Sequence, residues 1–292
     1  MSWLQLELET NQTHAEELST LLEQLGAISV SLTASSSEPV FDESDKDNTF
    51  WERTKLSVLL NSKCNIDNLL IQLHSHFGSN AIYSHNIKFL EDKDWVNEFK
   101  SKYQPIFFSN KICISPSWCE PSKNKIATIV LDPGLAFGTG AHPTTSLCIE
   151  WFCKNDINNK IVIDYGCGSG ILAMVAVKFG AKKVFAIDID EQALNTTREN
   201  IEQNKLQEKI LVYHPENAVI PKADILVANI LQNPLKKLLK EFSSLTKPGS
   251  HIILSGLLST QTKECLTAYR THFNMDEPVL RKSWASLHGV RL

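Results

Sequence analysis

The sequence predicts an α/β protein in two parts, a small α+β unit followed by a larger unit built on a mostly parallel sheet. Three observations carry this. From Lys111 onward, short β-rich apolar runs alternate with helical segments, the pattern of strands buried on both faces by flanking helices. Before that point, stretches of period two and stretches of helical period follow one another in the order βαββαβ. Finally, "VIDYGCGSGIL" sets Gly166, Gly168 and Gly170 where a strand gives way to a helix, the place where open parallel sheets bind ligands.

The first unit follows from its spacing. "WLQLELE" puts Leu4, Leu6 and Leu8 on one strand face, and "HAEELSTLLEQLG" puts Ala15, Leu18, Leu21, Leu22 and Leu25 on a helical stripe closed by Gly26. "AISVSLT" alternates through Ile28, Val30 and Leu32, and the polar run "ASSSEPVFDESDKDNT" is a loop. "KLSVLL" is the third strand. "NIDNLLIQLHSHFG" carries Ile66, Leu69, Leu70, Leu73 and Phe77 at helical spacing, and "NIKFLE" is the fourth strand. His74 and His76 read as rim residues rather than ligands. This order predicts a ferredoxin-like sandwich over residues 1–92. In "DKDWVNEFKSKYQP", Trp95, Phe99 and Tyr103 recur every fourth residue, so a short amphipathic helix is expected to stop before Pro105. It is assigned as a linker over 93–108, with the first helix of the next domain as the alternative. Residues 109–292 form the second unit.

Composition narrows the class. A chain of 292 residues makes one large or two ordinary domains, and 42% apolar residues suffice for a sizeable core. The opening "MSWLQLELET" has no basic stretch leading into an apolar run, and no apolar run is long enough to span a bilayer. Secretion and membrane contact are therefore not expected. Seven cysteines without a CxxC pair indicate reduced thiols in the cytoplasm rather than a disulfide frame or zinc site. Cys148 and Cys153 have no neighbouring histidine, and no metal is expected. The first hundred residues hold 16 acidic and seven basic side chains, net −9, and the remainder is net +5. Such an acidic part repels nucleic acid, so no direct nucleic-acid binding is expected, and it attracts a basic protein. Taken alone it reads better as a solvated surface that aids solubility.

Chemistry is concentrated in three places. "DPGLAFGTGAHPTT" runs a glycine turn into a helix, but Pro143 and Thr144 stand where a phosphate loop needs its lysine. The glycines of "GCGSG" lack dinucleotide spacing, while Asp188, 22 residues after Gly166, stands where a carboxylate holds ribose hydroxyls. Asp164 adds a second carboxylate, which suits a cationic ligand better than a pyrophosphate. Asn229, at the tip of the apolar strand "ADILVANIL", brings an amide oxygen able to accept from an amine N–H.

Together these residues resemble the class I S-adenosylmethionine-dependent methyltransferases. "DPGLAFGTGAHPTT" and "VANIL" are similar to the PrmA family, which methylates protein eleven of the large ribosomal subunit, and the likeness runs the length of the chain. Ala141 departs from the family's pattern, which has a larger or polar residue there. The resemblance implies a Rossmann-like seven-stranded sheet and a loop folding over the methionine part of the cofactor, with Thr145 among its contacts. Gly166 and Asp188 match cofactor positions, with Gly168 in the same turn. Asn229 matches the residue beside both cofactor and incoming amine, and is the expected catalytic group. Implied substrates are lysine side chains and the N-terminal α-amine of a basic ribosomal protein, taken to trimethylation by a monomer. Thr144 or Thr145 could instead cap the following helix, and His142 is either a base or a structural histidine. A non-catalytic cofactor-binding assembly factor and a methyltransferase for another substrate are the competing readings.

Overall fold

The computed structural model describes residues 3–35, 51–78, 80–90, 100, 103–119, 126–133, 138, 140–217 and 219–292. The chain divides into two compact units, Met1–Phe99 and Lys100–Leu292. The linker helix expected over 93–108 lies largely outside the described residues. Its last three positions, Ile106–Phe108, are a strand of the second unit, because the apolar "IFF" pairs with the next apolar run.

The first unit runs β1 (Trp3–Asn11), α1 (Gln12–Gln24), β2 (Ser29–Ala34), β3 (Arg53–Asn61), α2 (Ile66–Phe77) and β4 (Ile82–Leu90). Its antiparallel sheet has the order β2-β3-β1-β4, so β3 is inserted between β1 and β2, as a split β-α-β unit requires. Period two explains the register. Leu4, Leu6 and Leu8 lie opposite Leu60, Val58 and Leu56, all buried, and pack with Leu18 and Leu22 of α1 and Leu69 and Leu73 of α2. Each buried leucine contributes about 1.5–3 kcal/mol. Asn11 and Asn65 cap the two helices, accepting from the His14 and Asn68 N–H groups at 3.0 Å. On the polar face of β1, Glu7 lies 2.9 Å from the Lys88 amine and 3.2 Å from that of Lys55, and Glu9 lies 3.5 Å from Arg53.

The second unit begins with a small sheet, β5 (Ile106–Phe108), β6 (Ile112–Ser115) and β7 (Ala127–Val130), in that order. The large sheet then alternates with helices: α3 (Pro143–Lys154), β8 (Ile161–Tyr165), α4 (Ile171–Lys178), β9 (Lys183–Ile187), α5 (Glu191–Gln203), β10 (Ile210–Tyr213), β11 (Ala223–Asn229), α6 (Gln232–Leu245), β12 (Thr246–Leu258), α7 (Thr262–Tyr269), β13 (Phe273–Met275), β14 (Val279–Arg281) and β15 (Trp284–Arg291). Strand order is β10-β9-β8-β11-β12-β15-β13. The first five strands along it are parallel, and β15 is antiparallel to both β12 and β13. This is the expected seven-stranded path, with β14 added as a short eighth strand on β15.

Adjacent strand residues feed opposite cores. Val162 joins the cluster with Phe152 of α3 and Val175 of α4, while Ile163 joins the one with Phe242 of α6 and Tyr269 of α7. Strand order reverses between β8 and β11, and a crevice at such a switch point is where ligands bind.

Candidate functional site

The glycine turn leaves β8 at Gly166. The Gly166 and Cys167 N–H groups both donate to the Ile187 carbonyl, at 2.7 and 2.9 Å, which folds the turn against the end of β9. Gly166 has φ +76°, and a Cβ there would stand 2.2 Å from Ile230 Cγ2, so any other residue would be strained and would have to push the Ile230 side chain aside. Just past β9, the Asp188 carboxylate accepts from the Gly168 N–H at 2.9 Å and from the Asp190 N–H at 3.1 Å. Turn and carboxylate are thus one hydrogen-bonded unit with lone pairs to spare.

Asp164, on β8 beside the turn, is 1% exposed. Its Oδ2 accepts from the Ala173 N–H at 2.9 Å, while its Oδ1 is buried without a partner. Burial, with the Asp188 charge adding to it, pushes its pKa up to about 7 against the Ala173 bond. Cys167 is no nucleophile. Its buried thiol lies 3.4 Å from Thr197 Oγ1, and burial pushes its pKa well above the usual thiol range.

The segment before α3 is tied down at both described glycines. Ser169 Oγ donates to the Gly138 carbonyl at 2.6 Å, and Ser146 Oγ donates to the Gly140 carbonyl at 2.9 Å. The middle of that loop, 134–137 and 139, lies outside the described residues. Capping by Thr144 or Thr145 gives way to His142. Its Nδ1 accepts from the Thr144 N–H at 3.4 Å and lies 2.7 Å from Thr144 Oγ1, and its ring meets Trp284 edge-on at 4.8 Å. Pro143 follows as the first helical residue, where a missing N–H costs nothing. Burial lowers the His142 pKa and favours the neutral ring that can accept these bonds.

Thr145, not used as the cap, bonds Asn229 instead. Thr145 is fully buried, and its Oγ1 accepts from Asn229 Nδ2 at 3.1 Å. That bond orients the amide and leaves Asn229 Oδ1 buried with no partner. The sequence-derived residues therefore fall into two bonded pairs, Thr145 with Asn229 and Gly168 with Asp188. Ile230, in van der Waals reach of Gly166, links them.

Sequence reasoning missed the underside of the turn. Thr197 Oγ1 donates to the Gly168 carbonyl at 2.8 Å, and Asn200 Nδ2 donates to the Ser169 carbonyl at 2.8 Å. Asn204 clamps β7 by accepting from the Val130 N–H at 2.8 Å and donating to the Val130 carbonyl at 2.7 Å. Their signal was three polar residues three and four apart beside the apolar stripe of α5.

A family model described as "Ribosomal protein L11 methyltransferase (PrmA)" matches residues 2–292. The chain belongs to this family. Ribosomal protein L11 methyltransferases are 41% identical in Shewanella woodyi, over 292 residues and the full length of both chains, and 40% identical in Shewanella baltica, over 294 residues. Among solved structures, a ribosomal protein L11 methylase from Lactobacillus delbrueckii subsp. bulgaricus is 32% identical, with a TM-score of 0.60, over 65% of this chain and 99% of that one. The protein is a methyltransferase with a Rossmann-like class I fold. Among the described residues, no three His, Cys, Asp or Glu side chains are arranged to hold a metal ion.

Proposed function

We propose that this protein transfers methyl groups from S-adenosylmethionine to amino groups of ribosomal protein L11, at lysine side chains and the N-terminal α-amine, up to trimethylation. The observation that carries this is the Asn229 amide, held by Thr145 at the crevice with its oxygen unsatisfied. The residues fit the cofactor. The unpartnered Asp164 Oδ1 and the Asp188 carboxylate suit a cation bearing hydroxyls and would repel a pyrophosphate. Thr145, Gly166, Gly168, Asp188 and Asn229 would hold it.

Bound S-adenosylmethionine supplies a methyl group on a positively charged sulfur that leaves neutral, so no acid is needed. The chain's task is to present a neutral amine in line. Freeing a lysine amine at pH 7 costs about 4.6 kcal/mol from its usual pKa near 10.4, and a partly apolar, cation-bearing mouth reduces that cost. Asn229 Oδ1 accepts an N–H of the amine and aims its lone pair in the first two transfers; the dimethylated amine has no N–H left to give, so the third transfer relies on alignment in the crevice alone. With His142 engaged in capping, no dedicated base is assigned, and the proton leaves to solvent.

The first unit is read as the grip on the basic substrate, through its net −9 charge. We take the protein to act as a monomer in the cytoplasm, without contacting nucleic acid. No helix among the described residues is long and apolar enough to cross a membrane.

Intact-mass spectrometry of ribosomal protein L11 after incubation with enzyme and S-adenosylmethionine tests this reading. Successive gains of one methylene mass are expected, and Asn229→Ala should abolish them. Cofactor binding without any gain would favour the assembly-factor reading.

A further inference from the structure

On β12, Ser255 lies beside Asn229 in the parallel pairing with β11 and opposite Ser286 in the antiparallel pairing with β15. The next pair along β15 is Leu257 with Ala285, so Gly256 is an extra residue and the ladder shifts at that point. Gly256 has φ +89°. This is a β-bulge built on a left-handed glycine, the kind of irregularity that re-aims side chains beside active sites.

The bulge has two measurable effects. Strict alternation would put Leu254 and Leu257 on opposite faces of the sheet, yet both are buried in the cluster that contains α6 and α7. Ser255 meanwhile faces α3. It is fully buried, and its Oγ lies 3.2 Å from the carbonyl oxygens of both Thr144 and Ala285. Bulge and neighbour also meet at Ile230. A Cβ on Gly256 would stand 2.3 Å from the Ile230 oxygen, and the Ile230 N–H donates to the Ser255 carbonyl at 3.1 Å. Ile230 is therefore held with its backbone against Gly256 and its side chain against Gly166.

We infer that the Ser255–Gly256 bulge is a positioning device for Asn229, with Ser255 as a positioning residue. Its hydroxyl holds the Thr144 carbonyl and so sets the first turn of α3, where Thr145 Oγ1 receives the Asn229 amide. Gly256 seats Ile230 and so fixes the backbone that carries Asn229. The inference rests on the methyltransferase reading for what Asn229 does, but its structural core is the orientation of one side chain.

The test uses the full-length protein, as wild type, Ser255→Ala, Ser255→Thr and Gly256→Ala. In the free protein, hydrogen exchange of the Asn229 side-chain amide is followed by NMR. Affinity for S-adenosylhomocysteine, the demethylated cofactor, is measured by calorimetry. Ser255→Ala is expected to keep its far-UV circular dichroism and a cooperative melt, to speed Asn229 amide exchange, and to weaken binding about three- to tenfold, the worth of one hydrogen bond. Ser255→Thr, which keeps the hydroxyl, should recover most of that loss. Gly256→Ala should lose more, and if it fails to fold the serine variants still decide. Wild-type exchange and affinity in Ser255→Ala would overturn the inference, as would equal losses in the alanine and threonine variants. If the wild type itself failed to bind, the cofactor reading would fall, and amide exchange would still decide the positioning role.

Discussion

Asp164 carries a buried carboxyl group with one oxygen bonded to Ala173 and the other bare. With a pKa near 7, it is part protonated at neutral pH. A cationic ligand favours its carboxylate form, so binding should release a proton and affinity should rise with pH through about 7. Calorimetry in buffers of different ionisation enthalpy reads that proton directly. Asp164→Asn should abolish the release and weaken binding at pH 8. For stability the sign is reversed. The folded state keeps this proton above the ordinary 3.8, so the contribution is complete below 3.8 and lost as pH rises through about 7. As candidates, Gly166, Asp188 and Asn229 were legible because each stands at or next to a strand end, Gly168 because it shares the glycine turn, and Thr145 only through the family resemblance. Their bonds were not. Nothing in "HPTT" says that a histidine caps the helix, since histidine is not among the usual capping residues, or that Thr145 bonds Asn229.

Element by element, legibility followed length. The nine residues of β1 alternate four times, and α1 and α2 carry complete apolar stripes. The small sheet before α3 rests on strands of three or four residues, and β14 on three, too short for periodicity to register. The bulge at Gly256 breaks the alternation that a sequence reading relies on. A second unpredicted contact joins three elements. His251 on β12 lies 3.0 Å from His288 on β15, whose other nitrogen lies 2.6 Å from Asp276, and Trp151 of α3 packs against both rings. Two histidines bonded nitrogen to nitrogen share one proton, and a second would break the bond. Burial, followed by the charges of His288 and Lys160, lowers the His251 pKa, with Asp276 opposing. Its contribution is therefore complete above the usual 6.5 and lost as pH falls below it. Melting temperature should drop between pH 7 and 5, and His251→Phe should flatten that slope. Asp164 acts in the opposite sense over this interval, so the single variants must be compared.

For the molecule as a whole, the charge asymmetry makes a separable claim about its two units. Nine of the 16 acidic residues in the first hundred fall in 36–50 and 91–99, outside the described residues. Glu7 is held below the usual carboxylate range by Lys88 and Lys55, and Glu9 by Ser35, with smaller help from Ser84 and Arg53, so neither offers a free charge. The run "DESDKD" concentrates four acidic residues in six positions, so substrate attraction is expected to draw on it. Replacing Asp42, Glu43, Asp45 and Asp47 by their amides should raise KM for ribosomal protein L11 severalfold at low salt, less at high salt, and leave S-adenosylhomocysteine affinity unchanged. A matching fall in both would refute the division of labour. The strand order of the large sheet also sets a schedule. β15, residues 284 to 291, lies between β12 and β13 in the interior of the sheet. On a translating ribosome the first unit can close once β4 has emerged, whereas the sheet that forms the crevice must wait for β15. Until then β12 presents an unpaired edge, the kind of surface that recruits chaperones or a neighbouring nascent chain.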